Sequence, residues 1–351
     1  MTRVSRWMPA GVVLVALALD LVQLGSQPLS FDETFTRRVA TLPWTGIWEA
    51  ARDTEAPHLV YYSLLKPWVA VFGTSDWALR LPSVLFGALA AGATALLGRR
   101  LFGELAGLLA GLALAASSYF VSWSQAARGY TLAVLLATVA TYAFVRACEE
   151  RSTAWWAIWA ASLAAAGWVS VFAFSVAAAH FAAFVLFRPR PDLRVPVVAA
   201  CVAIAAFLPQ LVLVVMGDNG QLDWIPTPTP RHVAVGMWDW ASRNPIAVLA
   251  GAIGIVQLFR EAVPRATRWK AALIAVWLVA PLAATLLASI SQPAFEARYV
   301  LVGLPALALA VAAGVVSLPR RWALALGIAL VLSATVRLGQ HYLAPGEGLI
   351  R

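Results

Sequence analysis

Leu29-Ser30-Phe31-Asp32-Glu33-Thr34-Phe35-Thr36-Arg37-Arg38 follows directly on an apolar run, about Trp7 to Leu24, that has the length of a membrane helix. The reading of this junction decides the fold. Taken as a signal peptide, the run would be removed, but it has no convincing small-residue cleavage site before Phe31, so a retained helix is expected. Asp32 and Glu33 then stand at the outer mouth of a spanning helix, where carboxylates are costly and seldom idle. Asp20, in the last third of the same helix, suits a paired or snorkelling acid.

The rest of the chain fits a membrane setting. Of its 351 residues 61% are hydrophobic and 12% charged, and the mean hydropathy is +0.78. A soluble globular domain is less apolar than this. A hydrocarbon core about 30 Å thick needs roughly 20 apolar residues per helix, and such runs recur throughout. The expected class is an all-α polytopic membrane bundle of about 11 spans, near 7–24, 77–98, 104–122, 126–147, 154–170, 171–187, 195–216, 244–260, 269–290, 299–317 and 321–337. Residues 1–337 form one transmembrane domain with a first outer loop at 25–76 and another at 217–243, and 338–351 form a short polar tail. Leu59–Phe72 is too short to span and is interrupted by Lys66-Pro67, which suits a helix lying in the interface.

The net charge of +9 could indicate a nucleic-acid partner, but the arginines occur in short bursts between apolar runs. That is the pattern that orients membrane proteins. With the N-terminus in the cytoplasm, 15 of the 26 basic residues fall in short cytoplasmic segments, from Arg3/Arg6 to Arg320/Arg321. The C-terminus is then extracytoplasmic, and no nucleic-acid partner is expected. Cys148 and Cys201 cannot make a disulfide framework. There is no phosphate-binding glycine loop and no internal repeat.

Four outer segments carry the unusual chemistry. In Asp32-Glu33 one carboxylate can act as a general base, although both also suit a first helical turn. Arg80, in Trp77-Ala78-Leu79-Arg80-Leu81-Pro82-Ser83, Arg128, in Ser124-Gln125-Ala126-Ala127-Arg128-Gly129-Tyr130, and Arg298, in Phe295-Glu296-Ala297-Arg298-Tyr299, each sit at an outward helix mouth. An arginine there can anchor at the interface or grip a phosphate with two parallel hydrogen bonds. Together they suggest a pocket for a phosphate-bearing anion. Gly129 permits close backbone approach. His58 with Asp53 and Glu55 has metal-ligand chemistry but no ligand spacing, so divalent-metal dependence stays open. Trp224 and the Pro226–Pro230 segment read as a stiff loop beside an acceptor groove, and His180 as a satisfied bundle residue.

Leu29-Ser30-Phe31-Asp32-Glu33 resembles the "L-x-x-D-E" signature of the GT-C glycosyltransferases, in the protein-mannosyltransferase and aminoarabinose-transferase group. Ala56-Pro57-His58-Leu59-Val60-Tyr61-Tyr62 is similar to its "H-P-P-L-Y-Y" segment, with His58 in place of the second proline. Phe72–Ser83 resembles "F-G-x-S-x-x-A-L-R-L-P-S", and Arg128-Gly129-Tyr130 and Arg298-Tyr299 its later elements. The resemblance implies a GT-C bundle and an inverting transfer of a sugar from a polyprenyl-phosphate donor in the cell membrane. It implies Asp32 as base, Glu33 as a second acid, and Arg80, Arg128, Arg298 and Lys66 on the donor phosphate. His58, Tyr61, Tyr62, Tyr130, Tyr299 and Trp224 would line the substrate. The acceptor, a glycan, lipid or protein, is left open, and many relatives add a C-terminal domain, so a partner protein for acceptor recognition is a further expectation. A non-enzymatic polyprenyl-phosphate carrier on the same bundle would keep the arginines but have no need for Asp32.

Overall fold

Helix ends are set locally by capping. Ser30 and Glu33 form a reciprocal capping box, with the Ser30 hydroxyl accepting from the Glu33 N–H and the Glu33 carboxylate accepting from the Ser30 N–H. Ser75 accepts from the Ala78 N–H at the next membrane-length helix, which begins with Asp76 and ends with Arg99 and Arg100, charges that complement its dipole. Gly103, at φ +97°, stops it in a conformation that favours glycine.

The computed structural model describes residues 3–188, 192–216, 224–261 and 267–343, and every regular element among them is helical. The order is α1 (Arg3–Asp20), α2 (Phe31–Thr41), α3 (Trp44–Asp53), α4 (Leu59–Phe72), α5 (Asp76–Phe102), α6 (Glu104–Ala115), α7 (Ser118–Ser124) and α8 (Tyr130–Glu150). There follow α9 (Thr153–Val169), α10 (Val176–Leu186), α11 (Arg194–Met216), α12 (Pro230–Trp240), α13 (Pro245–Glu261), α14 (Arg268–Ala288), α15 (Leu304–Val316) and α16 (Arg320–Leu343). Short 3₁₀ turns occupy Ala56–His58, Val171–Ser175 and Ala297–Gly303.

Helix is present in each of the eleven expected segments, but they are not eleven like crossings. Among the described residues six stretches are long and apolar enough to cross a bilayer, and eight if each of two bent pairs is one span. The expected 104–122 span is one of those pairs: Ser117 caps a new helix there, and α6 and α7 meet at 62°. The other pair is α12 and α13, bent by 93°. The chain is a multi-pass helical membrane protein.

The first outer segment, 25–76, contains the short helix expected at Leu59–Phe72 as α4 and adds α2 and α3 to it, the three folding around an apolar core of Val39, Ile47, Tyr61, Tyr62 and Leu65 that reaches Leu79 of α5 and Ala127. One boundary is corrected. Residues 338–343, expected in a polar tail, continue α16, and the remainder of that tail lies outside the described residues. So do residues 217–223 of the second outer loop.

In the bundle, α13 and α15 cross with their backbones almost touching. A Cβ on Gly254 would sit 1.9 Å from the Ala310 carbonyl oxygen, and one on Gly314 2.2 Å from that of Ala250. Small residues four apart on both helices permit this approach. His180 is buried, with Nδ1 accepting from the Trp159 indole at 3.0 Å and Nε2 3.0 Å from the Thr141 hydroxyl, a satisfied bundle residue as its surroundings suggested.

Candidate active site

The capping box at the start of α2 sends its two acids in different directions. Glu33 points inward and is 4% exposed. Its carboxylate accepts from Arg80 Nε at 2.7 Å and Nη2 at 2.9 Å, from the Ala127 N–H at 3.0 Å, and from the Ser30 N–H at 2.9 Å. One side chain thus ties together α2, α5 and the turn between α7 and α8. Burial alone would raise its pKa; the hydrogen bonds from Arg80, Ser30 and Ala127 outweigh that and hold it below the usual range.

Arg80 completes the node. Besides Glu33, it donates to the backbone carbonyls of Gln27 at 2.9 Å and Pro28 at 3.2 Å. Four of the five guanidinium N–H groups are therefore spent within the protein. Arg80, expected on the donor phosphate, and Glu33, expected as a second acid, are here each other's buried partners.

The turn 124–129 is equally constrained. It was expected as an outer polar turn, but Ala126 to Tyr130 are all buried. Ser83 donates to the Arg128 carbonyl at 2.9 Å, so the Tyr61 hydroxyl, 2.9 Å from Ser83 Oγ, is the donor in that pair. A Cβ on Gly129 would lie 3.2 Å from Tyr61 Cβ and 3.0 Å from a Val169 methyl, so glycine is what admits α4 to the turn.

Arg128, 3% exposed, meets Glu55 end-on with two bonds, Nη1 to Oε2 at 2.9 Å and Nη2 to Oε1 at 3.0 Å. Tyr62 joins both, its hydroxyl accepting from Arg128 Nη1 at 3.1 Å and donating to Glu55. Burial opposes the charge on Arg128, and the Glu55 carboxylate more than restores it, raising its pKa. Glu55, expected only as a weak metal ligand, is in fact the chief partner of this arginine.

Asp32 faces the opening. Its side chain is 40% exposed, with Oδ1 3.3 Å from Arg128 Nη2 and Oδ2 3.6 Å from Arg298 Nη1. Arg298 stacks on Trp224 at 4.9 Å, Tyr299 at 5.5 Å and Trp123 at 5.8 Å from the ring centres. Its Nε is buried without a hydrogen-bond partner, and so is His58 Nδ1. His58 packs between Tyr62 and Tyr130, and Tyr130 lies 6.5 Å from Tyr299. Burial and the nearby Arg128 charge keep the His58 imidazole well below its ordinary pKa, hence neutral at pH 7.

The fold therefore gathers Asp32, Arg128, Arg298, His58, Tyr62, Tyr130, Tyr299 and Trp224, which are scattered through the sequence. Lys66 is held elsewhere, bonded to the Leu42 carbonyl and lying over the Trp44 ring. Tyr61 serves the Ser83–Arg128 turn. Asp53 pairs with Arg52 on the surface, so the proposed metal trio is not assembled, and no cluster of three His, Cys, Asp or Glu side chains occurs among the described residues. Trp123 was not anticipated. Its signal was its place, five residues before Arg128 at the end of an apolar run.

The comparisons agree with this architecture. A family profile described as dolichyl-phosphate-mannose-protein mannosyltransferase matches residues 56–213, a stretch that begins after Asp32 and ends before Arg298. Among solved structures, ArnT from Cupriavidus metallidurans bound to undecaprenyl phosphate superposes with a TM-score of 0.63 at 19% identity, covering 93% of this chain and 63% of that one. The oligosaccharyltransferase AglB from Archaeoglobus fulgidus, in complex with an inhibitory peptide and a dolichol-phosphate, gives 0.67 at 13% identity, covering 97% and 56%. The chain thus spans about three-fifths of the length of these proteins. No curated protein matches it by sequence. The fold is that of the GT-C membrane glycosyltransferases.

Proposed function

We propose that this protein is an inverting glycosyltransferase that moves a sugar from a polyprenyl-phosphate donor to an acceptor hydroxyl at the extracytoplasmic face of the membrane. The observation that carries the reading is the state of Asp32. It is the exposed carboxylate of the cluster, bridged to the buried Arg128 and the partly buried Arg298, while Glu33 and Glu55 are both committed to internal pairs. The neighbouring folds support the donor class, since ArnT is bound to undecaprenyl phosphate and AglB to a dolichol-phosphate.

In this reaction Asp32 takes the proton of the acceptor hydroxyl as the oxygen attacks the anomeric carbon. The bond from that carbon to the phosphate oxygen breaks, and its electron pair leaves with the polyprenyl phosphate. Displacement in one step inverts the anomeric centre. Arg298, whose Nε has no partner, receives the negative charge that builds on the phosphate. Arg128 assists through Asp32 and the same opening, whereas Arg80 and Glu33 hold the elements that present Asp32. His58, Tyr130 and Tyr299 line the donor side with Trp224. The family profile favours a mannosyl-type hexose, and a partner protein remains a candidate contributor to acceptor choice.

Asp32→Asn tests the reading. Purified with its native lipids, the variant is expected to bind polyprenyl phosphate as the wild type does and to lose sugar transfer by several orders of magnitude. Unchanged transfer would overturn the role of Asp32. Retained lipid exchange without any transferase activity in the wild type would identify a carrier instead. Mass spectrometry of copurifying lipids names the donor head group.

A further inference from the structure

Beside Asp32, with Arg298 not in its wall, lies a cavity of ≈ 200 Å³, lined by Gln23–Pro28 and Ser30, by Trp123, Gln125 and Arg128 near the α7–α8 turn, and by His341 and Tyr342 near the end of α16. We propose that it is the acceptor subsite, that it takes a single neutral hydroxylated ring such as a hexose, and that His341 and Tyr342 help select it. This rests on the reading of Asp32 as the base and adds to it the class of acceptor.

The charge in the cavity is the first argument. Glu33 and Arg80 both line it, but each spends its charge on the other. Arg128 is held by Glu55. What is left facing the space is the Asp32 carboxylate, itself bridged to Arg128 and Arg298, so no cation there is without a carboxylate partner, a poor place for a phosphate or an acid.

The hydrogen-bond sense of the wall is the second. Gln125 donates with its NH₂ group to the carbonyls of Asp20 at 2.9 Å and Val22 at 2.7 Å. Its Oε1, 3.1 Å from His341 Nε2, must then be the acceptor, which places the His341 proton on Nε2. In the neutral ring Nδ1 is left as an acceptor. Tyr342 donates its proton to the Leu19 carbonyl at 2.7 Å, so its oxygen too is left to accept. Asp32 accepts as well. The same wall holds donors without a partner, Trp123 Nε1 and Arg128 Nε, and a polyol, whose hydroxyls both donate and accept, meets both senses.

Size and shape agree. Pockets for drug-sized ligands run to about 300–1,000 Å³, and this one is below that range, with room for one ring rather than an extended glycan or peptide segment. Trp123 contributes apolar surface to its wall, which suits the C–H side of a sugar. Asp32 stands between this cavity and the Arg298 side, as a base must that takes a proton from the acceptor while the donor phosphate lies beyond.

The test uses the full chain in nanodiscs, with polyprenyl phosphate binding followed by thermal shift and methyl α-mannopyranoside binding by saturation-transfer difference NMR. Wild type is expected to show both. His341→Ala is expected to lose saturation transfer to the glycoside and keep the lipid-induced shift. Ser26→Phe, which fills the cavity from the loop without altering α16, should do the same. Absence of glycoside signal in wild type with lipid binding intact, or a signal that survives Ser26→Phe, overturns the subsite. So does saturation transfer to a serine- and threonine-containing peptide in place of the glycoside. Loss of lipid binding in wild type would instead count against the transferase reading itself.

Discussion

Removing one partner of the Glu33–Arg80 pair strands the other charge among buried groups. Breaking such a pair costs about 3–5 kcal/mol, and both side chains here are nearly inaccessible. Glu33→Gln is therefore expected to lower the unfolding temperature markedly, with lost activity following lost fold, whereas Asp32→Asn should leave the unfolding temperature near that of wild type. Differential scanning fluorimetry on the two variants separates the neighbours. Arg298→Ala is expected to weaken polyprenyl-phosphate binding about 10-fold or more, the order of one charge-assisted hydrogen bond, and Arg298→Lys to restore only part of it, because Lys lacks the planar guanidinium stacked on Trp224. Isothermal titration with the lipid phosphate reads both. His58 supplies a pH dependence. Its folded pKa lies below the unfolded value of about 6.5, so below that value the unfolded state binds the proton first. Stability is present above about pH 6.5 and falls as pH drops toward the folded value. Glu33, also lowered, adds a loss of the same sign at more acidic pH. The slope of unfolding temperature between pH 7 and 5 should be shallower in His58→Asn.

At the scale of elements, the crossing of α13 and α15 is a contact that side-chain patterning alone does not reveal. Gly314→Val places a branched side chain where a single Cβ would already lie 2.2 Å from the Ala250 carbonyl. Overpacking of this kind costs about 1–3 kcal/mol, and the helices must part to admit it. A lower unfolding temperature in Gly314→Val, with Gly327→Val on the open face of α16 as a silent control, checks the claim. The helical segments themselves were legible because twenty-residue apolar runs leave a chain in lipid little alternative. The fold of 25–76 was less so. The amphipathic α2 and α3 are short, and what holds them is a small core shared with α5 and Ala127, a tertiary feature with no local signature. The bends at Ser117 and between α12 and α13 escaped for a related reason: hydropathy measures how apolar a run is and says nothing of its axis. In the site, the residue types at the helix mouths could be read, but not which charges neutralise one another. Arg80 and Arg128 look alike in sequence; only the fold shows that one is consumed by Glu33 and the other shared between Glu55 and Asp32.

For the molecule as a whole, charge divides by end. The Asp32, Arg128 and Arg298 cluster, Trp224 and the His341 end of α16 gather at one pole. At the other, Arg100 bridges to Glu149 and Glu150, Arg146 pairs with Glu150 and stacks on Trp155, and Lys270 donates to the Leu101 carbonyl, joining α5, α8 and α14. The excess of arginine at this second pole predicts that it faces the cytoplasm, which puts the proposed chemistry outside. An impermeant maleimide decides the matter. The native thiols, Cys148 buried and Cys201 exposed, are first replaced by alanine. A single cysteine is then placed at Ser26, in the loop beside Asp32, or at Arg151, an exposed residue at the end of α8. Ser26→Cys should label in intact cells and Arg151→Cys only after permeabilisation. The reverse pattern would put Asp32 in the cytoplasm, where the lipid-phosphate donor would have to present its sugar on that leaflet. Equal labelling of both sites in intact cells would mean that an even number of crossings separates them, and the bent pair α6–α7 would then be the segment to reassign as a re-entrant hairpin.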